Sequence, residues 1–107
     1  MQRYRLDDMK AGWFVGDFEP AVLRTREFEV ALHRHRQGDP TEPHFHKLAP
    51  EINVIIRGRM MVNGEELASG DIFVFEPEEV SRAEFLEDTE LIVVKTPSVP
   101  GDKHPAN

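Results

Sequence analysis

The sequence predicts an all-β domain, and three observations carry that expectation. Glu27 to Arg36 and Glu51 to Arg57 alternate with the two-residue period of a half-buried strand. Asn63-Gly64, between Arg59-Met60-Met61-Val62 and Glu65-Glu66-Leu67, is a hairpin signal, because both residues tolerate the positive φ of a type I′ turn. Ser69-Gly70-Asp71 then turns into Ile72-Phe73-Val74-Phe75, which reads as a buried strand.

A chain of 107 residues fits one domain. The expected division is a 1–96 domain, with an N-terminal strand or arm region at 1–27, a core at 28–96, and an extended tail at 97–107. Without cysteine there is neither a disulfide framework nor a thiolate zinc site. No apolar stretch has the length of a membrane span, and Met1-Gln2-Arg3-Tyr4-Arg5 is not followed by a signal-type apolar core. A soluble cytoplasmic protein without a membrane partner is therefore expected. The net charge of -7, from 20 acidic against 13 basic residues, argues against nucleic acid, whose backbone needs a basic face.

In order along the chain, Trp13-Phe14-Val15-Gly16 and Phe18 predict one or two short strands, with Trp13 and Tyr4 as aromatic anchors covering an edge. From Glu27 to Arg36, Phe28, Val30 and Leu32 fall on one face and Ala31, His33 and His35 on the other. If Phe45 lies in a strand, His44 and His46 project from the same side. After a turn through Pro50, the run opened by Glu51 is expected to pair beside them and bring them a carboxylate. Within that run Glu51, Asn53 and Ile55 share the histidines' side, while Ile52, Val54 and Ile56 form an apolar outer face. Such a face needs a cover, and a homodimer is the expected one. Glu76-Pro77-Glu78-Glu79 reads as a loop. Arg82 to Leu86 and Leu91 to Lys95 read as the closing strands, turned by Glu87-Asp88-Thr89-Glu90.

The spacing from Gly38 through His44, His46 and Glu51 to Gly58, G-x5-H-x-H-x4-E-x6-G, resembles the first motif of the cupin superfamily without a mismatch. That resemblance implies a cupin-type double-stranded β-helix, or jelly-roll barrel. It also implies a divalent metal (Fe, Mn, Ni or Zn) held by His44, His46 and Glu51, normally with a third histidine from a second motif. Here the second motif departs from the pattern. Glu76 stands for its proline, Glu78 for its glycine and Ser81 for its histidine, and a neutral serine is a poor ligand.

His35 and Glu76 are the candidates for the missing ligand, and His33, Asn53 and Ser81 are expected to line the pocket. By the resemblance either His33 or His35 could supply the third nitrogen, whereas the residues alone favour two hydrogen-bonded interior or surface histidines.

Three functions follow from the resemblance. The first is a metal-dependent cupin acting on a small chelating metabolite such as a hydroxy- or keto-acid, by oxygenase, isomerase or decarboxylase chemistry. The second is a metal-independent keto-sugar isomerase or epimerase using His44 or His46 as base. The third is a small-ligand-binding or sensing module without turnover.

Overall fold

A computed structural model describes residues 1–107. Eleven strands follow one short 3-10 turn at Leu6–Asp8: β1 Trp13–Gly16, β2 Leu23–Arg24, β3 Glu29–His35, β4 His44–His46, β5 Glu51–Arg57, β6 Arg59–Val62, β7 Glu65–Ala68, β8 Ile72–Phe75, β9 Ala83–Phe85, β10 Thr89–Lys95 and β11 Lys103–Pro105. They form a six-stranded sheet in the order β2-β1-β3-β10-β5-β8, a three-stranded sheet β7-β6-β9, and a pair β11-β4.

The sheets close on one another because alternate residues of the large sheet are apolar on the inside. Ala31, Ile55, Phe75, Leu91 and Val93 pack with Met60, Val62 and Phe85 of the small sheet in one core. Two packed β-layers around such a core are a jelly roll. The Asn63-Gly64 turn joins β6 to β7 with φ of 47° and 83°, and Val62 pairs with Glu65 across it. Gly58 has φ of 98°, and a Cβ there would lie 2.3 Å from the Asp88 carbonyl oxygen. The closing glycine of the first motif is thus required by the backbone that passes over it.

Four expectations need correction. First, β10 is central in the large sheet, paired with β3 and β5, and it already begins at Thr89; the connection from β9 is Leu86 to Asp88. Second, β8 is an edge strand with an open outer side, where Ile72 is 68% exposed, so its apolar run is buried on one face only. Third, β5 does not pair beside the histidine strand. Its neighbours are β10 and β8, while β4 pairs with β11, so Glu51 reaches the histidines across the sandwich.

Fourth, residues 97–107 are not a loose tail. Lys103–Pro105 pairs with His46–His44, and Ser98 and Asp102 are buried. A strand partner and buried polar anchors hold this segment, which composition alone marks as unable to pack. No helix is long and apolar enough to cross a membrane.

Candidate metal centre

The site lies between the sheets, in a cavity of about 600 Å³. His44 and His46 both point into it, with ring centroids 5.4 Å apart, because they are alternate residues of β4. Phe45, between them, faces out against His104. Glu51, at the start of β5, approaches from the opposite layer, and its Oε2 lies 2.7 Å from His46 Nε2. Ligand atoms of His44, His46 and Glu51 all lie within 4.8 Å of one another.

Their hydrogen bonds fix which atoms face the common point. His44 Nδ1 lies 3.0 Å from the Glu42 carbonyl oxygen, and His46 Nδ1 lies 2.8 Å from that of Asp102. A carbonyl only accepts, so each Nδ1 carries the proton and donates it. In the neutral rings, both Nε2 lone pairs are then left for the cavity. His46 Nε2 faces the Glu51 carboxylate at 2.7 Å, a contact closed by a proton that Nε2 donates or by a cation held between the two. Histidines oriented by backbone carbonyls through the far nitrogen are what a metal site requires. Two imidazoles and a carboxylate suit iron, manganese, nickel or zinc, so the residues present fit a divalent ion.

The surroundings set the charge states. Burial pushes the Glu51 carboxyl up, but the His46 hydrogen bond and charge, with Lys95 beyond, bring it below its ordinary value. Burial also lowers the imidazole of His44, against the Glu42 carbonyl that favours its protonated form. His33 is brought down to about 4, by burial first and the neighbouring His35 second. The triad therefore presents an ionised acid beside a His44 ring biased toward neutrality.

Of the other candidates, Ser81 lines the cavity opposite His44. The two exchange backbone hydrogen bonds, with Ser81 N–H donating to the His44 carbonyl at 2.8 Å. The second motif thus delivers its last residue to the expected spot, with a hydroxyl in place of an imidazole. Asn53 and His33 also line the cavity. His35 lines it too, but its ring stacks on Phe85 at 4.1 Å and lies outside the converging group. Glu76 is exposed and does not line the cavity, because its loop turns outward after β8. Neither supplies the missing ligand in this structure.

Four functional positions escaped the sequence reading. Trp13 is not an edge cover but part of the cavity wall, 5.2 Å from the His33 ring. Glu29 and Lys95 face inward from β3 and β10, and strand parity with Ala31 and Val93 was the signal that could have found them. Asp102 has no local signal, since the groups it binds lie more than fifty residues away.

An all-β sandwich with an inward histidine pair and a largely buried acid between its layers has the cupin-type double-stranded β-helix fold. No family model matches the chain, and no curated protein does. Solved structures do. An uncharacterized conserved protein with a double-stranded β-helix domain from Klebsiella pneumoniae is 25% identical over 79% of this chain and 75% of its own, with a TM-score of 0.71. KdgF from a Halomonas species is 25% identical over 71% of this chain and 74% of its own, with a TM-score of 0.64. A cupin protein from Bacteroides fragilis, 18% identical over 71% of this chain and 70% of its own, has a TM-score of 0.57 and shares the fold.

Proposed function

We propose that this cupin holds one divalent metal through His44, His46 and Glu51 and binds a small oxygenated metabolite beside it. The observation that carries the reading is the pair of Nδ1–H···O=C hydrogen bonds, which turn both Nε2 atoms toward one carboxylate. A bound divalent ion would supply Lewis acidity toward a chelating oxygen ligand. The chain's own groups do the rest. Glu51 contributes the negative charge, Asp102 and Glu42 hold the imidazoles in orientation, and Phe73 and Phe75 give the cavity an apolar wall.

The keto-sugar reading draws no positive charge for a sugar-linked phosphate from the arginines, and the cations on the cavity wall are Lys95 and Lys103. Arg57 pairs with Glu90 and Arg59 with Glu66 and Glu87, Arg82 binds the Asn107 carbonyl, and none of the three lines the cavity.

Titration of metal-stripped protein with manganese, iron, nickel and zinc salts tests the proposal. One equivalent is expected to bind the wild-type chain, and the double variant His44→Ala, His46→Ala is expected to lose that binding. Equal, negligible uptake by both proteins would refute it.

We also propose that a second copy covers the outer face of the large sheet. Ile52, Ile56, Ile72 and Val74 are exposed there, and β8 leaves one edge of backbone unpaired. A two-fold axis beside β8 would bury both features at once. Sedimentation equilibrium is expected to give twice the 12.3 kDa chain mass, and Ile72→Glu with Val74→Glu to return a monomer. A wild-type monomer at tens of micromolar would overturn this.

A further inference from the structure

Beside the triad, the inner wall carries a cation whose ion pair with Glu29 is loose. Glu29, Lys95 and Glu51 face inward in one row across β3, β10 and β5, since Lys95 is in register with both acids. The Lys95 side chain is 11% exposed and that of Glu29 10%. Their closest approach, Nζ to Oε2, is 3.8 Å, beyond hydrogen-bond length. The Trp13 ring lies under the ammonium at 5.0 Å and fixes its position on that side. A nearly buried ammonium with three N–H donors is thus held at the cavity wall, close to a carboxylate yet bonded to none.

A buried donor without a good partner lies next to it. Asn53 is 2% exposed and its Nδ2 makes no hydrogen bond of good geometry, although the side chain faces the same cavity and its amide, beside Glu51, helps hold that carboxyl down. Asn53 pairs with Val93, so it is the diagonal neighbour of Lys95 on the inner face, within reach of a long side chain. Lys103 also borders the cavity, but from the exposed β11 on the opposite layer. A group with two acceptor oxygens and no donor would satisfy both inner-wall residues, and a carboxylate is that group.

We propose that Lys95 and Asn53 form a carboxylate subsite, so that the cavity takes a small acid with an oxygen-chelating end at the triad and a separate anionic end at Lys95. The chelating half of this inference rests on the metal reading above, whereas the anionic half rests on Lys95 and Asn53 alone. Glu29 competes with the ligand for the ammonium, which keeps Lys95 in place before the ligand arrives.

The test uses matched α-hydroxy acids that differ only at the far end: malate against 2-hydroxybutyrate, and 2-hydroxyglutarate against 2-hydroxypentanoate. Each is titrated calorimetrically into the full chain, with and without manganese, and metal uptake is measured separately. At least one dicarboxylate is expected to bind about tenfold to a hundredfold more tightly than its methyl-ended partner, the range of a charged hydrogen bond.

Lys95→Met keeps the apolar stem and is expected to abolish that preference, bringing the two acids of each pair to equal affinity. Because this variant leaves Glu29 buried alone, Lys95→Met with Glu29→Gln serves as the charge-balanced control. Glu29→Gln alone is expected to tighten dicarboxylate binding.

Equal affinities within each pair, a preference that survives loss of Lys95, or no binding of any acid by protein that has taken up metal would overturn the subsite while leaving the metal reading intact. Failure to take up metal together with a Lys95-dependent preference for dicarboxylates would do the reverse.

Discussion

Asp102→Ala is expected to destabilise the chain by about 3 kcal/mol and to weaken metal binding roughly tenfold to a hundredfold, the cost typical of losing a group that orients a ligand. Its carboxylate accepts the backbone N–H groups of Lys47 at 3.0 Å, Leu48 at 3.1 Å and Ala49 at 3.0 Å. These residues are the link between β4 and β5, and so between His46 and Glu51. Burial pushes the Asp102 carboxyl up, but the donors from Ala49, Leu48 and Lys47 outweigh it and hold the group below its ordinary value.

The same residue's carbonyl takes the His46 Nδ1 proton. One residue of the C-terminal segment thus fixes both the path of the loop and the tautomer of a ligand. With alanine the carbonyl remains, but its anchoring is lost and three backbone donors are left without their acceptor. Asp102→Asn retains one acceptor oxygen and is expected to fall between the two. Urea unfolding and manganese titration of the three proteins make the comparison. Wild-type values for Asp102→Ala in both would remove Asp102 from the account.

Stability is expected to fall as the metal-free protein is taken from pH 7.5 toward pH 4, by on the order of 3 kcal/mol from His33. In the unfolded chain His33 takes up a proton near its ordinary 6.5, whereas in the folded chain it resists until about 4. Between those values the unfolded state binds more protons, so acid favours it. The contribution is complete above 6.5 and is progressively lost as the pH falls through the window. His35 is shifted in the same direction, burial again being the first cause. His33→Phe keeps a ring against Trp13 and removes the titration. Urea midpoints across this range are expected to slope downward toward acid in the wild type and to flatten in the variant. A midpoint that rises toward pH 4 would contradict the burial of a neutral His33.

What the sequence made legible was local. Parity placed His44 with His46, Glu51 with Asn53 and His33 with His35 on inward faces, because a strand's side chains alternate whatever it pairs with. The hairpin at Asn63-Gly64 was equally secure, since its turn chemistry lies in two residues. Pairing was not legible: β5 is adjacent to β4 in sequence but lies in the other layer, an outcome that depends on the whole sandwich. The role of 97–107 was hidden for the same reason, since proline and glycine there announce irregular chain while the partners of Asp102 and Lys103 lie around residue 46. Glu76, which stands at the motif's proline, was a candidate for the missing ligand, yet it is exposed to solvent.

Anomalous diffraction from crystals grown with zinc or manganese tests the central claim most directly. The account predicts a peak bounded by Nε2 of His44, Nε2 of His46 and the Glu51 carboxylate, with both Nδ1 atoms still bonded to the carbonyls of Glu42 and Asp102. A saturated crystal with no peak at that point, or with its metal held instead among Glu76, Glu78 and Glu79, would contradict it.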